Sequence, residues 1–329
     1  MRVLYVLNCY PQISETYIKT ELEWVARSHE VRIVTMGDAD ISYRNHFPFE
    51  KIAAKDHTRL EAIVRQFQPE IVHGHYIHLT PWCFHAARIG GTKFTIRAHS
   101  FDVLGPSLTR YSKLPIAINS AYCRGVLTFP FTIPRIVETG IGRDKLVPCW
   151  PVVDVGRFLD QGSNGKAVMN VGAAIEKKAM ESYVDMARDI PERRFNLYSL
   201  GYLTDQLKAY NSRAGAPVHF VDTIQPEEMA PEYKKHEWLV YTADTRFNTV
   251  GWPLAVAEAQ ASGVGVVMRD LRPDLAEYVG PSGFLYQTNA DVSRIIRQPF
   301  SEELRAQGFE HARKSDIARH IELLYELWR

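Results

Sequence analysis

The sequence predicts an α/β protein made of two doubly wound domains in tandem. Three observations carry this expectation. Short apolar runs alternate with stretches of helical period, the rhythm of βαβ units and of a parallel sheet. The rhythm lapses at VVDVGRFLDQGSNG (152–165), whose Gly, Ser and Asn mark an exposed linker, and then restarts. A length of 329 residues also suits two domains, at roughly 100–200 residues each.

RVLYVLN (2–8) reads as a buried strand. A helix follows over 16–27, with Ile18, Leu22 and Val25 on one face. Next come a strand over 29–37 and a helix over 57–66, where Leu60, Ile63 and Val64 share a face. EIVHGHY (70–76) is a strand and 81–89 a helix. Residues 93–103 run from a strand into a loop. Strands recur near 125–129 and 145–150, with a helix over 133–139 stopped by Gly140 between them. In the second half, strands are expected at 167–173, 194–201, 218–223, 237–243 and 264–270. Helices at 180–187, 203–209 and 226–235 connect them, as does NTVGWPLAVAEAQASG (248–263). The last helix, 315–328, is amphipathic.

Hydrophobic content of 46%, charged content of 23% and a net charge of +1 suit a soluble globular enzyme and give no reason to expect nucleic acid. The charge is uneven. Residues 1–155 carry 18 Lys/Arg against 14 Asp/Glu, and 156–329 carry 21 against 24. The first half also holds 8 of the 12 histidines. A mildly basic half suits an anionic partner or a weak association with an anionic membrane surface; ordinary scatter is the alternative. The four cysteines form no C-x-x-C, so neither a zinc site nor a disulfide framework is expected. The N-terminus is apolar only from Val3 to Leu7, too short for a signal core, and no run is long enough to span a membrane. A cytoplasmic setting, peripheral at most to the inner membrane face, is the expectation.

Open parallel sheets bind ligands beyond the carboxyl ends of their strands. The segments to inspect are therefore 8–15, 73–78, 97–102, 172–178, Gly201 and 244–258. Pro253 suits the first turn of a helix and Gly263 its stop. The free N–H groups at that helix N-terminus suit an anion. Glu258, on the second turn, suits a diol such as a ribose; a Glu facing solvent or paired with an Arg is the alternative. Ser14 is a candidate N-cap. Glu15 either orients an acceptor or is an exposed first-turn acid favourable to the dipole. His73, His75 and His78 are close in sequence, and His73 and His75 share a strand face. With no carboxylate at ligand spacing, packing or acceptor contact is preferred and no metal site is expected. Tyr10, Tyr76, Trp82, Phe101 and Tyr111 offer an aromatic sugar platform, or simply packing.

NTVGWPLAVAEAQASGVGVVMRD (248–270) resembles the nucleotide-sugar signature of retaining glycosyltransferases of family 4, which have the GT-B fold. Gly251, Glu258, Ala259, Gly263 and Val266-Val267 fall in register. YPQISETYIKTEL (10–22), HGHY (73–76), RAHSFDV (97–103), GIGRDKLVPCWPVVDVGRF (140–158) and DLAEYVGPSGFLY (274–286) resemble further family segments in the same order. The resemblance implies two Rossmann-like domains facing a cleft. Residues 1–155 would bind the acceptor and 156–311 the nucleotide-sugar, with 312–329 a C-terminal helix packing back on the N-terminal domain. It implies metal-independent transfer of a hexose from a UDP- or GDP-sugar to a hydroxyl, with retention and without a cofactor. The acceptor would be a glycan, a lipid-linked sugar or a small molecule.

The resemblance also implies roles. Glu258 would hold the ribose. Gly172 and Lys178 would meet the diphosphate, with Gly251 and Trp252 beside the donor. His99 would lie at the transferred sugar and, with Lys178, carry catalysis. Ser14, Glu15, His75 and Asp102 would face the acceptor, and Glu277 also stays in place. The departures are specific. Val250 stands where the family has its first glutamate, Pro253 is two residues early, and Ala173 replaces the phosphate-site Arg. Arg246, a candidate second cation with Lys178, is equally readable as a surface partner of Asp244. GDAD (37–40) contains an Asp-x-Asp, which in this context reads as an ordinary turn. A degenerate GT-B protein that binds nucleotide or glycan as a non-catalytic partner subunit is the alternative suggested by Ala173 and Val250. A GT-B epimerase is a third reading.

Overall fold

The computed structural model describes every residue except 41–42, 54–55 and 111, together with all side chains of the described residues but that of Ser107. Tyr111 of the expected aromatic set thus lies outside the described residues. The chain divides into two compact units, 1–152 with 317–329, and 153–316. The sequence reading placed the boundaries at 155/156 and 311/312.

The first unit carries β1 (Arg2–Leu7), α1 (Thr16–Val25), β2 (Glu30–Thr35), β3 (Glu50–Lys51), α2 (His57–Phe67), β4 (Ile71–His75) and α3 (Thr80–Gly90). It continues with β5 (Lys93–Arg97), α4 (Ser100–Leu104), α5 (Ser107–Arg110), α6 (Leu114–Ile118), β6 (Cys123–Thr128), α7 (Ile133–Val137) and β7 (Leu146–Pro148). The seven strands are parallel in the order β3-β2-β1-β4-β5-β6-β7. Strand alternation sends Leu4 and Val6 of β1 into one apolar cluster, and Val3, Tyr5 and Leu7 into another on the opposite face. Both faces of this sheet are therefore buried, as a parallel sheet requires.

The second unit carries α8 (Val155–Phe158), β8 (Ala167–Ala173), α9 (Glu181–Asp189), β9 (Phe195–Leu200), α10 (Thr204–Arg213), β10 (Val218–Phe220) and α11 (Met229–Tyr233). It continues with β11 (His236–Tyr241), α12 (Leu254–Ala261), β12 (Gly265–Arg269), α13 (Asp274–Val279), β13 (Gly283–Tyr286), α14 (Asn289–Ile296) and α15 (Glu302–Ala312). Its six parallel strands run β10-β9-β8-β11-β12-β13. Val168, Phe195, Leu197, Trp238, Val240 and Val267 form the centre of its core.

The final helix, α16 (Ile317–Trp328), belongs with the first unit. Ile317, Ile321, Leu324 and Trp328 pack in the cluster that holds Tyr5, Ile18 and Leu22. Trp328 Nε1 donates to Thr95 Oγ1 at 3.0 Å. No described helix is long and apolar enough to cross a membrane.

Strand order reverses between β1 and β4 in one sheet and between β8 and β11 in the other. These are topological switch points, where the loops leaving adjacent strands part in opposite directions and open a crevice.

Candidate active site

At the switch point of the second unit, β8 ends at Gly172 and Ala173. Gly172 has φ +143° and open space where a Cβ would stand, so its glycine serves backbone conformation rather than close packing. Gly201 is glycine for a second reason as well. Its φ is +110°, and a Cβ there would lie 3.0 Å from the Ala174 carbonyl oxygen. The loop then turns through 176–178 and delivers Lys178. The Lys178 ammonium sits 4.0 Å from the centre of the Tyr241 ring, at the end of β11, a cation–π contact. Among the described residues no carboxylate forms an ion pair with it. Burial, and then the neighbouring Lys177, push its pKa down to about 7.

Two hydrogen bonds tie this loop to the one after β11. Asp244 N donates to the Lys177 carbonyl at 3.0 Å, and Lys177 Nζ to the Thr249 carbonyl at 3.4 Å. That second loop leads into α12, which begins at Leu254, one residue later than expected, with Pro253 extended at the N-cap position. Three contacts fix the entry to α12. Arg272 Nη1 donates to the Val250 carbonyl at 2.5 Å. Trp252 Nε1 donates to Asp274 Oδ2 at 2.8 Å, and Tyr278 Oη to the Pro253 carbonyl at 2.5 Å. Arg272 also grips both carboxylate oxygens of Asp274, and the Trp252 and Tyr278 rings stack 4.9 Å apart.

This frame corrects one expectation. Trp252 is only 4% exposed and props the loop from inside the protein rather than offering its ring to a donor. Val250 is 2% exposed, so the position that resembles the family's first glutamate packs into the interior. Gly251 is likewise buried between them. Glu258 is half-buried on the second turn of α12, and its Oε2 accepts from Tyr233 Oη at 2.7 Å. Burial pushes its carboxyl up to about 6. Arg246 is a surface residue. Its guanidinium chelates Asp244 at 2.5–3.1 Å and its side chain is 82% exposed. Glu277 is exposed on α13. An open cavity of about 750 Å³ on this unit is lined by Arg193, Asn196, Tyr198, His219 and Glu232. It includes none of the expected donor residues, and its Lys166 and Arg193 are spent on Glu237.

At the switch point of the first unit the structure gathers a buried polar cluster. Glu21, on α1, is fully buried. Its Oε2 accepts from Arg97 Nε at 2.7 Å. Its Oε1 accepts from Tyr5 Oη at 3.1 Å and lies 3.1 Å from His73 Nε2 and 3.2 Å from His75 Nε2. Burial alone would raise the Glu21 pKa; Arg97, helped by His73 and His75, overrides it and holds the carboxyl well below the usual range. His75 Nδ1 lies 3.2 Å from His99 Nε2. Burial drives the His75 pKa down to about 4 and lowers His99 as well, with His75 and Arg97 adding to the effect.

The His99 ring is half-buried, with the Tyr17 and Tyr76 rings at 4.5 and 4.7 Å. The two tyrosine hydroxyls are 2.6 Å apart, and Tyr76 Oη donates onward to Glu15 Oε1. The other Glu15 oxygen is buried without a partner, and burial pushes this carboxyl up to about 7. Asp102 accepts from the His99 and Ile77 backbone N–H groups, and burial raises it to about 7.

Several expectations for this unit change. Ser14 is exposed and is not the cap. The N-cap position of α1 is Glu15, which makes no capping bond and faces inward instead. His75 and Asp102 have no exposed surface, so they stand behind the groups an acceptor would touch. A carboxylate does stand at ligand distance from His73 and His75: it is Glu21, brought by α1. Arg97 already neutralises that carboxylate, and a divalent ion would leave two uncompensated positive charges in the interior. Tyr10 is buried, accepting from Phe47 N at 3.0 Å, and Trp82 stacks on His57, so both serve packing. Phe101 is 53% exposed. Asp38 of GDAD is a surface acid paired with Lys51.

Glu21, Tyr17 and Arg97 were missing from the candidate set. For Glu21 a signal existed. It lies three residues after Ile18 and four before Val25, on the buried stripe of its helix.

Two Rossmann-like units in tandem, each with ionisable groups collected at its switch point, define a GT-B protein. Residues 165–298 match the family model described as Glycosyl transferases group 1, and residues 14–128 match Glycosyltransferase Family 4. The two stretches span well over half of the chain, which belongs to glycosyltransferase family 4 and is a glycosyltransferase. No curated protein matches its sequence. Among solved structures it is similar to HepE of Anabaena in complex with UDP and glucose, with a TM-score of 0.77 at 13% identity over 99% of this chain and 98% of that one. Sucrose-phosphate synthase from Thermosynechococcus elongatus gives 0.72 at 16% identity, over 99% and 98%. The lipopolysaccharide outer core galactosyltransferase WaaB, in its apo form, gives 0.60 at 15%, over 95% and 99%. At such identities the likeness is one of fold.

Proposed function

We propose that the chain moves a hexose from a nucleoside-diphosphate sugar to an acceptor hydroxyl, with retention at the anomeric carbon and without a metal. The observation that carries this reading is Lys178. A cation with no ionised partner, half-buried at the switch point of the second unit, is a costly arrangement unless an anion completes it. The donor diphosphate is that anion, with the open face of Gly172 beside it. Glu258 takes the ribose hydroxyls, and Gly251 is the backbone under the donor. Arg246 joins Lys178 by exchanging Asp244 for phosphate. The solved structures of HepE hold UDP and UDP-glucose, which favours a uridine diphosphate donor.

On the first unit, His99 lies against the transferred sugar. Glu15 receives the acceptor through its unpartnered oxygen, and Ser14 lies at the rim. The acceptor class is a glycan, a lipid-linked sugar or a small molecule. Departure of the diphosphate leaves an oxocarbenium-like sugar, and the leaving phosphate takes the acceptor proton. That step needs position more than a strong base.

A second reading rests on Ala173 and on the buried Val250: a degenerate member that binds nucleotide or glycan without turnover. Incubating the purified protein with a panel of nucleotide-sugars, with and without acceptors, and measuring released nucleotide separates the two. Release supports transfer. Binding without release from any donor replaces it with the degenerate reading.

A further inference from the structure

The line of contacts behind His99 assigns its protons, once hydrogen positions are taken from their partners. Glu21 is held ionised by Arg97, so its Oε1 only accepts. His75 Nε2, at 3.2 Å, must then carry its proton toward Glu21. A neutral imidazole has one N–H, so His75 Nδ1 is bare and accepts. The group opposite it, at 3.2 Å, is His99 Nε2, which must donate. His99 is thereby fixed as the Nε2–H tautomer, clamped between the Tyr17 and Tyr76 rings.

We propose that Glu21 and His75 are positioning residues for His99, setting its tautomer and orientation through the line Arg97–Glu21–His75–His99. This rests on the reading that His99 faces the transferred sugar. A neutral imidazole there does not repel a sugar ring that gains positive charge as the diphosphate leaves; an imidazolium would. The fixed ring also costs no reorganisation during the reaction.

The test uses the full-length protein labelled with ¹⁵N-histidine, together with two variants. His75→Gln keeps a donor for Glu21 but removes the atom opposite His99. His75→Asn keeps an acceptor near His99 but gives up Glu21. Circular dichroism and the unfolding midpoint establish that both fold. The wild-type spectrum is expected to show His99 as a single Nε2–H tautomer at neutral pH. In His75→Gln that signature gives way to mixed tautomers and kcat falls about 10- to 100-fold, the loss of one buried hydrogen bond, with KM for the donor little changed. His75→Asn recovers part of kcat.

An Nδ1–H tautomer in the wild type overturns the proposal. So do an unchanged His99 spectrum and unchanged kcat in His75→Gln, or equal losses of stability and turnover in both variants. If the wild type turns over no nucleotide-sugar, the transfer reading fails, and the spectra still decide whether the line governs His99.

Discussion

Donor binding should depend on pH through Lys178, and the structure sets the size of the effect. Burial and Lys177 bring the ammonium to about 7, so about half of the free enzyme is charged at neutral pH. A diphosphate beside it favours the charged form and returns the pKa toward its ordinary value. Only the protonated enzyme then binds well. A pKa of 7 leaves about 3% of the free lysine protonated at pH 8.5, so affinity should fall about 15-fold between pH 7 and 8.5. Glu258, at about 6, is already mostly ionised across that range and adds little. The assay is isothermal titration of a UDP-sugar into wild type and Lys178→Arg at the two pH values. An arginine stays charged throughout, so its profile should be flat, and any slope it retains belongs to other groups. Equal slopes in the two proteins, or full affinity in Lys178→Ala, would refute the assignment of the diphosphate to this lysine.

Four further outcomes are expected. Glu258→Gln should weaken donor binding about 10- to 100-fold by calorimetry, the value of one hydrogen bond to a charged group. The unfolding midpoint should hold, because Gln keeps a partner for Tyr233 and relieves a buried acid. Arg272→Ala takes one donor from the Val250 carbonyl and from Asp274 and should cost about 1–3 kcal/mol in urea unfolding, with a weaker donor complex. Arg246→Ala, which breaks only an exposed pair, should leave the unfolding midpoint in place; unchanged donor affinity in that variant would remove Arg246 from the phosphate site. Gly172→Ala should cost about 1–3 kcal/mol through backbone strain at φ +143°, although its methyl meets no atom. Wild-type stability there would show that the loop adapts.

The two sheets were largely legible because their strands announce themselves by apolar runs. β8 falls where it was read, and β1, β4 and β9 differ by a residue or so at their ends. What escaped was short or unpatterned. The two-residue β3, edge strand β13 and the short helices α4, α5 and α6 carry too little periodicity to stand out. Lys178 and Glu258 stand out in the sequence because each sits at a marked place, after a strand and inside a small-residue helix. Arg272, Asp274 and Tyr278 were not found, because their work is to hold a loop some twenty residues earlier, and no local pattern records such contacts. The reading of Glu15 as an exposed first-turn acid fails for the same reason. A charge before a helix reads as solvated until the Tyr17 and Tyr76 hydroxyls close over it.

The membership of α16 in the first unit bears on how the chain is made. Tyr5, Ile18 and Leu22 wait for Ile321, Leu324 and Trp328, which leave the ribosome only after all of 153–316. The middle of the chain can settle while the beginning is still unfinished. A nascent chain halted before Ile317 would thus keep an oily, uncovered flank open to chaperones.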